Sequence, residues 1–324
     1  MRMYIYIIII FLTIFIFPNL TNAQVNFYIS PEKFDLKLLP GESLDKKIII
    51  SNLGQESLPI SIQLKNFSAN GEKGGIIFEE GGDISFDPSQ WIKFKEKNFI
   101  LKSQDFKELN FTIKIPDQAE PGGYYASALF QTEISPTETK SSTKILPILG
   151  ALFLLTIEGG EQKYPSLDKQ IEVVELKVPS FIENGPMTVN FRVKNNDPIH
   201  VGISGKLIIY DLFGRIKEEI EVQPTTILPG KIRFFELKTK ENKFFDNFFL
   251  GPYQAKLILS TKTWQEKIGN NQQLIKKFQF FAFPWKIFVI FIITILILIL
   301  LVSISKRKKK KQLNNQLPIT TTVG

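Results

Sequence analysis

The chain contains no cysteine and a single histidine among its 324 residues. The absence of cysteine excludes a disulfide framework, a cysteine nucleophile and any metal site built on thiolates. A chain of this length can bury a large core, so it needs no disulfides to be stable even outside the cell. The composition therefore permits export while it removes several classes of catalytic and metal site.

The single histidine limits hydrolytic chemistry. A serine triad needs a histidine to accept the serine proton, and only His200 is available for that role. It follows the proline turn at Asp197-Pro198, and no nucleophile motif accompanies it. We expect a surface or strand-end histidine with no catalytic role, and a histidine-based metal site would lack further ligands.

Charge is absent from residues 287–305, and six basic residues follow at 306–311. At a rise of about 1.5 Å per residue, this uncharged run spans roughly 28 Å, close to the thickness of a bilayer's hydrocarbon core. Clustered positive charge beside a span marks its cytoplasmic side, and Trp285 suits the opposite interface. We predict a transmembrane helix over 284–305, a disordered cytoplasmic tail over 306–324, and all preceding residues outside the cytoplasm.

A second apolar run opens the chain. Arg2 precedes the apolar residues 4–17, and Thr21-Asn22-Ala23 stands where a signal peptidase would cleave. This pattern predicts a signal peptide over residues 1–23. Because the apolar run is long for a signal, an uncleaved N-terminal anchor is the alternative. In both cases the central region is exported.

The net charge of +8 belongs to the membrane segments. Arg2, Lys286 and residues 306–311 carry eight of the 40 positive charges, and the remaining 32 equal the 32 acidic residues. Residues 24–285 are therefore neutral overall. A nucleic-acid partner is not expected, because no basic surface would neutralise its phosphates.

The central region has the pattern of an all-β protein. Apolar residues alternate along short runs, which places them on one face of a sheet: Phe34, Leu36 and Leu38; Ile60, Ile62 and Leu64; Leu109, Phe111, Ile113 and Ile115; Val189, Phe191 and Val193; Leu257 and Leu259. Turn sequences rich in glycine, proline and asparagine separate these runs. We predict two tandem immunoglobulin-like β-sandwich domains, at 24–160 and 161–283, joined by the glycine-rich linker 158–161.

The uncharged run 145–157 raises the alternative of a second membrane span. It is too short to cross a bilayer, and Pro147 and Gly150 interrupt it. A buried strand pair that closes the first sandwich is the prediction we prefer.

The two predicted domains repeat one order of signals. In the first, a strand ends at Asn52, and a later strand opens at Gly123-Tyr124. In the second, a strand ends at Asn195, and a later strand opens at Gly251-Pro252-Tyr253. The repetition predicts duplicated sandwich modules.

Acidic residues and glycines concentrate in the loop from Asn70 to Gln90. Four of its carboxylates are Glu79, Glu80, Asp83 and Asp87. Oxygen-rich loops can hold calcium, but the spacing of a calcium-binding loop is missing. We expect a solvated hairpin insertion, and these four carboxylates supply the weakest hypothesis, a wall-polysaccharide hydrolase.

Trp91 and Trp264 are the two tryptophans of the exported region. On an exported protein such rings can stack on sugars. Large aromatic side chains in strand-like settings usually fill sandwich cores, so we expect both in the core.

Five stretches carry a family resemblance: Ile29-Ser30-Pro31, Leu39-Pro40-Gly41-Glu42, Ile50-Ser51-Asn52, Ser89-Gln90-Trp91-Ile92 and Pro116-Asp117-Gln118-Ala119-Glu120-Pro121-Gly122-Gly123-Tyr124-Tyr125. With the layout of signal, two sandwiches, span and basic tail, the chain resembles bacterial WxL-interacting cell-surface proteins. It is similar, more loosely, to PapD-like immunoglobulin sandwiches. The resemblance implies a non-catalytic surface protein whose first domain contacts peptidoglycan and whose second contacts a protein, such as a WxL protein or a host ligand.

The leading hypothesis is therefore a bacterial, single-pass membrane protein that binds cell-wall polymer or another surface protein. The alternative is a structural or assembly component of an envelope complex that acts through exposed strand edges. No enzyme activity, cofactor or metal is expected, and no ligand-binding residue is assigned.

Overall fold

The computed structural model describes residues 27–79, 86–132, 147–159, 170–183, 186–240, 249–261 and 273–314. The signal peptide predicted over 1–23, Trp264, Glu80 and Asp83 lie outside these residues, as do residues 160 and 161 of the linker. The described chain forms two compact units. Unit 1 holds residues 27–68 and 76–159, and unit 2 holds residues 69–75 together with those from 170 onward.

The strands of unit 1 form two facing sheets. In chain order the elements are β1 Phe27–Ser30, β2 Lys33–Leu38, β3 Ser43–Asn52, β4 Leu58–Asn70, β5 Gly75–Glu79, α1 Pro88–Trp91, β6 Ile92–Phe94, β7 Asn98–Leu101, β8 Phe106–Lys114, β9 Gly122–Thr132 and β10 Ile148–Ile157. The last two residues of β4 and the first of β5 belong to unit 2. One sheet has the order β1-β3-β8-β6, and the other β2-β10-β9-β4-β5, with β7 also paired to β4.

Aromatic rings join the two sheets of unit 1. Phe111 of β8 meets Phe34 of β2 and Phe153 of β10 edge to face, with ring centroids 5.2 and 5.4 Å apart. Phe34 and Phe153 stack on each other at 5.0 Å. These contacts fill the space between the layers, where the alternating apolar residues of each strand meet.

Unit 2 is also a two-layer sandwich. Its strands are β11 Ile171–Lys177, β12 Phe181–Ile182, β13 Thr188–Asn195, β14 Val201–Tyr210, β15 Ile216–Ile227, β16 Ile232–Lys238, β17 Gly251–Thr261 and β18 Gln273–Ala282. The sheets have the orders β11-β13-β16 and β12-β18-β17-β14-β15. Along β13 every second residue is buried, which is the alternation that the sequence predicted.

The predicted strand pair at residues 145–157 is wrong. The described part of this run is one strand, β10, which pairs parallel with β2 and antiparallel with β9. Its last five residues, 153–157, are all buried, so both faces of the strand are covered there. A strand covered on both faces has a continuous apolar sequence, and this explains why the run lacks alternation.

The strand order confirms the predicted duplication. In one sheet of each unit, β3 lies between β1 and β8 as β13 lies between β11 and β16. In the other sheet, β2-β10-β9-β4 corresponds to β12-β18-β17-β14. The Gly-Tyr strands recognised in the sequence, β9 and β17, occupy equivalent positions.

A buried asparagine ends β3 and joins the two sheets of unit 1. The Asn52 Nδ2 donates to the carbonyl of Glu56 at 2.7 Å and to that of Leu101, the last residue of β7, at 3.3 Å. Its Oδ1 accepts from the Gly54 N–H at 2.9 Å. One amide therefore closes the turn after β3 and holds the end of a strand in the opposite layer.

Asn195 makes the same set of hydrogen bonds at the end of β13. Its Nδ2 donates to the carbonyls of Ile199, at 2.8 Å, and Ile227, the last residue of β15, at 2.9 Å. Its Oδ1 accepts from the Asp197 N–H at 2.8 Å. Both asparagines are fully buried. The shared network is the physical basis of the repeated asparagine turn in the sequence.

Replacement of either asparagine by alanine should lower the free energy of unfolding of its own unit by about 2 kcal/mol, because buried carbonyls lose their donor. The measurement is hydrogen exchange of the full chain in detergent across a urea series, read by mass spectrometry peptide by peptide. The control is Asn196→Ala, since Asn196 is exposed beside Asn195. Equal effects of Asn195→Ala and Asn196→Ala would contradict the assignment.

The C-terminal helix, α2, spans Trp285–Asn314. The helical segment Trp285–Lys309 is long and apolar enough to cross a membrane. This property fits a single-pass membrane anchor. The helix continues past residue 305 through the basic cluster, so the expected disorder is wrong for residues 306–314; residues 315–324 lie outside the described chain. Lysine and arginine are good helix formers, so loss of hydrophobicity at residue 306 does not end the helix.

Candidate functional site

The structure gives Asp87, one of the four predicted loop carboxylates, a structural role. Asp87 is buried and caps the N-terminus of α1. Its Oδ1 accepts hydrogen bonds from the N–H of Ser89 at 3.0 Å and from the Ser89 Oγ at 2.6 Å. Glu79 is exposed at the end of β5. Of the four predicted carboxylates, the two that the structure describes are therefore one engaged by the fold and one in solvent.

The same contacts set the charge state of Asp87. Burial raises the pKa of its carboxyl, but hydrogen bonds involving Ser89, Asn66 and Gln90 outweigh burial and hold the pKa below its usual range. A carboxyl whose pKa is lower in the folded state stabilises the fold above its unfolded pKa, near 3.9. That stabilisation is lost as the pH falls through the folded pKa.

Asp87→Ala should therefore destabilise unit 1 by about 1 kcal/mol at pH 7, the usual cost of removing a helix N-cap. The difference from the unsubstituted chain should shrink as the pH falls below about 4, where the carboxyl becomes protonated. Urea unfolding followed by hydrogen exchange across pH 3–7 measures both effects. Glu79→Ala is the exposed control and should change stability by less than about 0.5 kcal/mol at every pH.

His200 and Trp91, which the sequence also singled out, lie inside the fold. His200 is at the predicted strand end, immediately before β14, but it is buried and not on the surface. Trp91 is buried, with its ring centroid 4.7 Å from that of Tyr124, which confirms the core prediction for this residue. Within the described ranges, no group of three or more histidine, aspartate or glutamate residues could hold a metal ion.

Two surface depressions accompany the sandwiches. One in unit 1 has a volume of about 480 Å³ and is lined by Ile62, Gln63, Leu64, Ser89, Gln90, Ile92, Lys93, Phe94 and Lys97. One in unit 2 has a volume of about 340 Å³ and is lined by Ser180, Asp211, Leu212, Pro252, Tyr253, Gln254, Gln279, Phe280 and Phe281. Neither brings together an acid, a base and a nucleophile in the pattern of a hydrolytic site.

The feature that stands out is an unpaired strand edge. Strand β18 pairs with β17 along its whole length, from Gln273 to Ala282. On its other side β12 pairs only with Phe281 and Ala282. For residues 273–280, no strand of the described chain occupies that side, and we call this segment the open edge. An unpaired row of backbone N–H and C=O groups can accept a strand from another chain.

Unit 1 shows how the equivalent edge is filled. There β2 pairs in parallel with six residues of β10, from Leu152 to Ile157. Its counterpart β12 is two residues long. Because β10 and β18 hold the same place in the duplicated order, the described part of unit 2 fills only two residues of a site that unit 1 fills with six residues of its own chain.

Hydrogen bonds beside the open edge show which backbone donors face outward. The N–H groups of Phe281 and Phe283 donate, at 2.9 Å, to the carbonyls of Ser180 and Ile182 on the β12 side. Because N–H directions alternate along a strand, those of Lys277 and Ile275 also face outward. The N–H of residues between them face β17. An incoming strand would meet donors at every second residue.

The side chains around the open edge are apolar and basic. Leu274 and Phe278 point toward the core and are partly buried. Ile275 is 47% exposed, and Lys276 and Lys277 are exposed. By contrast β15, at the far edge of the same sheet, carries Pro224 and several charged residues, which are features that prevent strand addition. Because β18 has no proline, its edge is better suited to a partner strand than that of β15, although Lys276 and Lys277 also lie on it.

Solved structures with PapD-like folds resemble parts of this chain. The class 5 fimbriae chaperone CfaA is 16% identical over 78% of this chain and 98% of its own, with a TM-score of 0.39. The E. coli chaperone DraB is 10% identical over 79% and 96%, with a TM-score of 0.38. A PapD-like domain of a human protein is 12% identical over 44% and 93%, with a TM-score of 0.31. No protein-family model and no curated protein matches the chain.

These likenesses are too distant to indicate a ligand. The two-sheet arrangement rests on the strand pairing itself, and the resemblance to WxL-interacting proteins stays an expectation. The sequence suggested exposed strand edges as an alternative but did not locate the open edge on β18. The available signal was the contrast between residues 33–38, which alternate over six positions, and the short apolar pair Phe181-Ile182 at the equivalent place.

Proposed function

We propose that this chain is a non-catalytic, membrane-anchored surface protein that binds a protein partner by accepting one of its strands at the open edge. The observation that carries the proposal is the side of β18 that no described strand pairs with over eight residues, at the place where unit 1 seats β2. Backbone hydrogen bonds would supply affinity, and the side chains beside them would supply selectivity. This proposal joins the expected surface-protein binding with the strand-addition alternative.

The pairing in unit 1 indicates the direction of the partner strand. Strand β2 runs parallel to β10, and the short β12 runs parallel to β18. A partner strand that continues the β12 position would therefore also run parallel to β18. Lys276 and Lys277 favour a partner whose strand carries acidic residues, because opposite charges on neighbouring strands attract.

Lys277→Pro should strongly reduce partner capture and leave the fold intact, because it removes a donor that faces away from β17. We expect crosslinking from p-benzoylphenylalanine at residue 275 to fall by about tenfold, the effect of losing roughly 1.4 kcal/mol of binding free energy. The measurement is photocrosslinking of the full chain in native membranes, followed by mass spectrometry of the products.

Two matched variants complete this experiment. Lys277→Ala keeps the backbone donor and should keep most of the capture. Lys276→Pro removes a donor that faces β17, so it should lower stability. One stoichiometric protein partner is the expected product. Unchanged crosslinking in Lys277→Pro would contradict strand addition. Recovery of peptidoglycan fragments in place of a protein would also contradict it and would favour binding of the wall polymer.

The basic cluster at residues 306–311 supports an orientation with the two sandwiches outside the cytoplasm. Because the chain has no native cysteine, single cysteines report sidedness directly. In intact cells a membrane-impermeant maleimide should label Gln223→Cys, on β15, and should leave Gln312→Cys unlabelled until the membrane is opened. The reverse labelling pattern would overturn the orientation.

A further inference from the structure

A cluster of exposed apolar side chains lies at one end of unit 2. We call it the apolar rim and define it as Phe181, Leu212, Phe213, Leu250 and Phe281. Leu212 and Phe213 are the most exposed of these residues, at 70% and 78%. Exposed apolar side chains that cluster in this way mark an interaction surface, whereas single ones do not.

The strand register places the rim at one level. Ala282, the last residue of β18, pairs with Gly251, and Tyr210, the last residue of β14, pairs with Gln254. The turn at residues 211–215 extends beyond Tyr210 toward the level of Phe281. Leu212 and Phe281 accordingly line the same depression. The turn therefore reaches the end of the sheet from which β18 leaves toward the helix.

The helix begins at this end of the sheet. Only Phe283 and Pro284 separate β18 from α2. The Phe283 N–H donates to the Ile182 carbonyl at 2.9 Å. The Lys286 ammonium lies 2.8 Å from the Glu183 carboxylate. These contacts hold the start of the apolar helix beside β12, so the level at which the chain enters a bilayer is close to the level of the rim.

The turn presents its two apolar side chains on a rigid backbone. The Asp211 Oδ1 accepts from the N–H groups of Phe213 and Arg215, both at 2.9 Å. The Arg215 Nε donates to the Asp211 Oδ2 at 2.7 Å, and its guanidinium lies 5.1 Å from the centroid of the Phe213 ring. The positive charge of the Arg215 guanidinium thereby balances the negative charge of the Asp211 carboxylate. The tip combines an aromatic ring, an aliphatic side chain and a cation, a composition suited to the bilayer interface.

We propose that the apolar rim, led by Leu212 and Phe213, inserts into the interfacial region of the leaflet that α2 enters. The occupant is a lipid surface, because the rim is continuous with the start of the membrane-spanning helix. This inference rests on the membrane anchoring in the proposed function. It adds a second point of membrane contact, so that both the apolar rim and α2 hold unit 2 at the bilayer.

Depth-dependent quenching in vesicles tests the insertion. The full chain carrying Leu212→Cys, labelled with the fluorophore NBD, is reconstituted into phosphatidylcholine and phosphatidylglycerol vesicles that contain spin-labelled lipid. The comparison site is Gln223→Cys, which is exposed on β15 about 20 Å along the strand from the turn. We expect quenching by headgroup-level spin labels to be at least threefold stronger at residue 212 than at residue 223.

Two further variants separate the possible outcomes. Leu296→Cys lies within the span and should be quenched by labels deep in the acyl chains. If it is not, the anchor itself is absent and the proposed function fails. If residue 296 is deep but residues 212 and 223 are quenched equally, the rim proposal alone is overturned.

Phe213→Asp in the Leu212→Cys background should reduce quenching at residue 212 to the level of residue 223, because a carboxylate opposes entry into the interface. Its hydrogen-exchange protection in β14 and β17 should remain unchanged, which shows that the sheet is intact. Loss of quenching on adding membrane-extract proteins to the Leu212→Cys chain would mean that a protein displaces lipid from the rim, and would overturn the lipid assignment.

Discussion

Each sandwich depends on one side-chain amide that links its two sheets. Asn52 ends β3 in one sheet and holds the last carbonyl of β7 in the other, and Asn195 does the same between β13 and β15. The apolar core between the sheets is non-directional, so it selects which face of each strand is buried but does not distinguish registers that differ by two residues. A fully buried amide with specific acceptors does choose one, because any shift leaves buried carbonyls without a donor.

The duplication makes the differences between the units informative. The first unit seats six residues of β2 beside β10, while the second seats only Phe181 and Ile182 beside β18. The rest of the β18 edge is unpaired within the described chain. Most natural edge strands carry prolines or charges that discourage pairing, as β15 does with Pro224. The described β18 edge carries Lys276 and Lys277 but no proline, so every outward N–H along it remains able to donate to an added strand.

Local sequence patterns predicted what is local in this fold. Alternation located strands such as β13, and the two asparagine turns disclosed the repetition before any pairing was known. Pairing itself is not local. The apolar run that ends at Ile157 could not show that β10 pairs with β2, which lies more than 100 residues earlier. In the same way, no residue near β18 indicates that its partner strand β12 is short. The sequence did not reveal that Asp87 is a helix cap, because the hydrogen bonds that it accepts from Ser89 form only when the chain turns into α1.

The short link between β18 and α2 connects the open edge to the start of the apolar helix. With only Phe283 and Pro284 between them, the open edge lies on the strand that enters the helix. A single helix fixes the distance of that edge from the bilayer but leaves its tilt free. Insertion of Leu212 and Phe213 would restrict the tilt, because two contacts separated across the sheet remove a rotation that one contact allows. A partner strand that is itself held at the membrane would then meet an edge of fixed height and orientation, which lowers the entropy lost on binding.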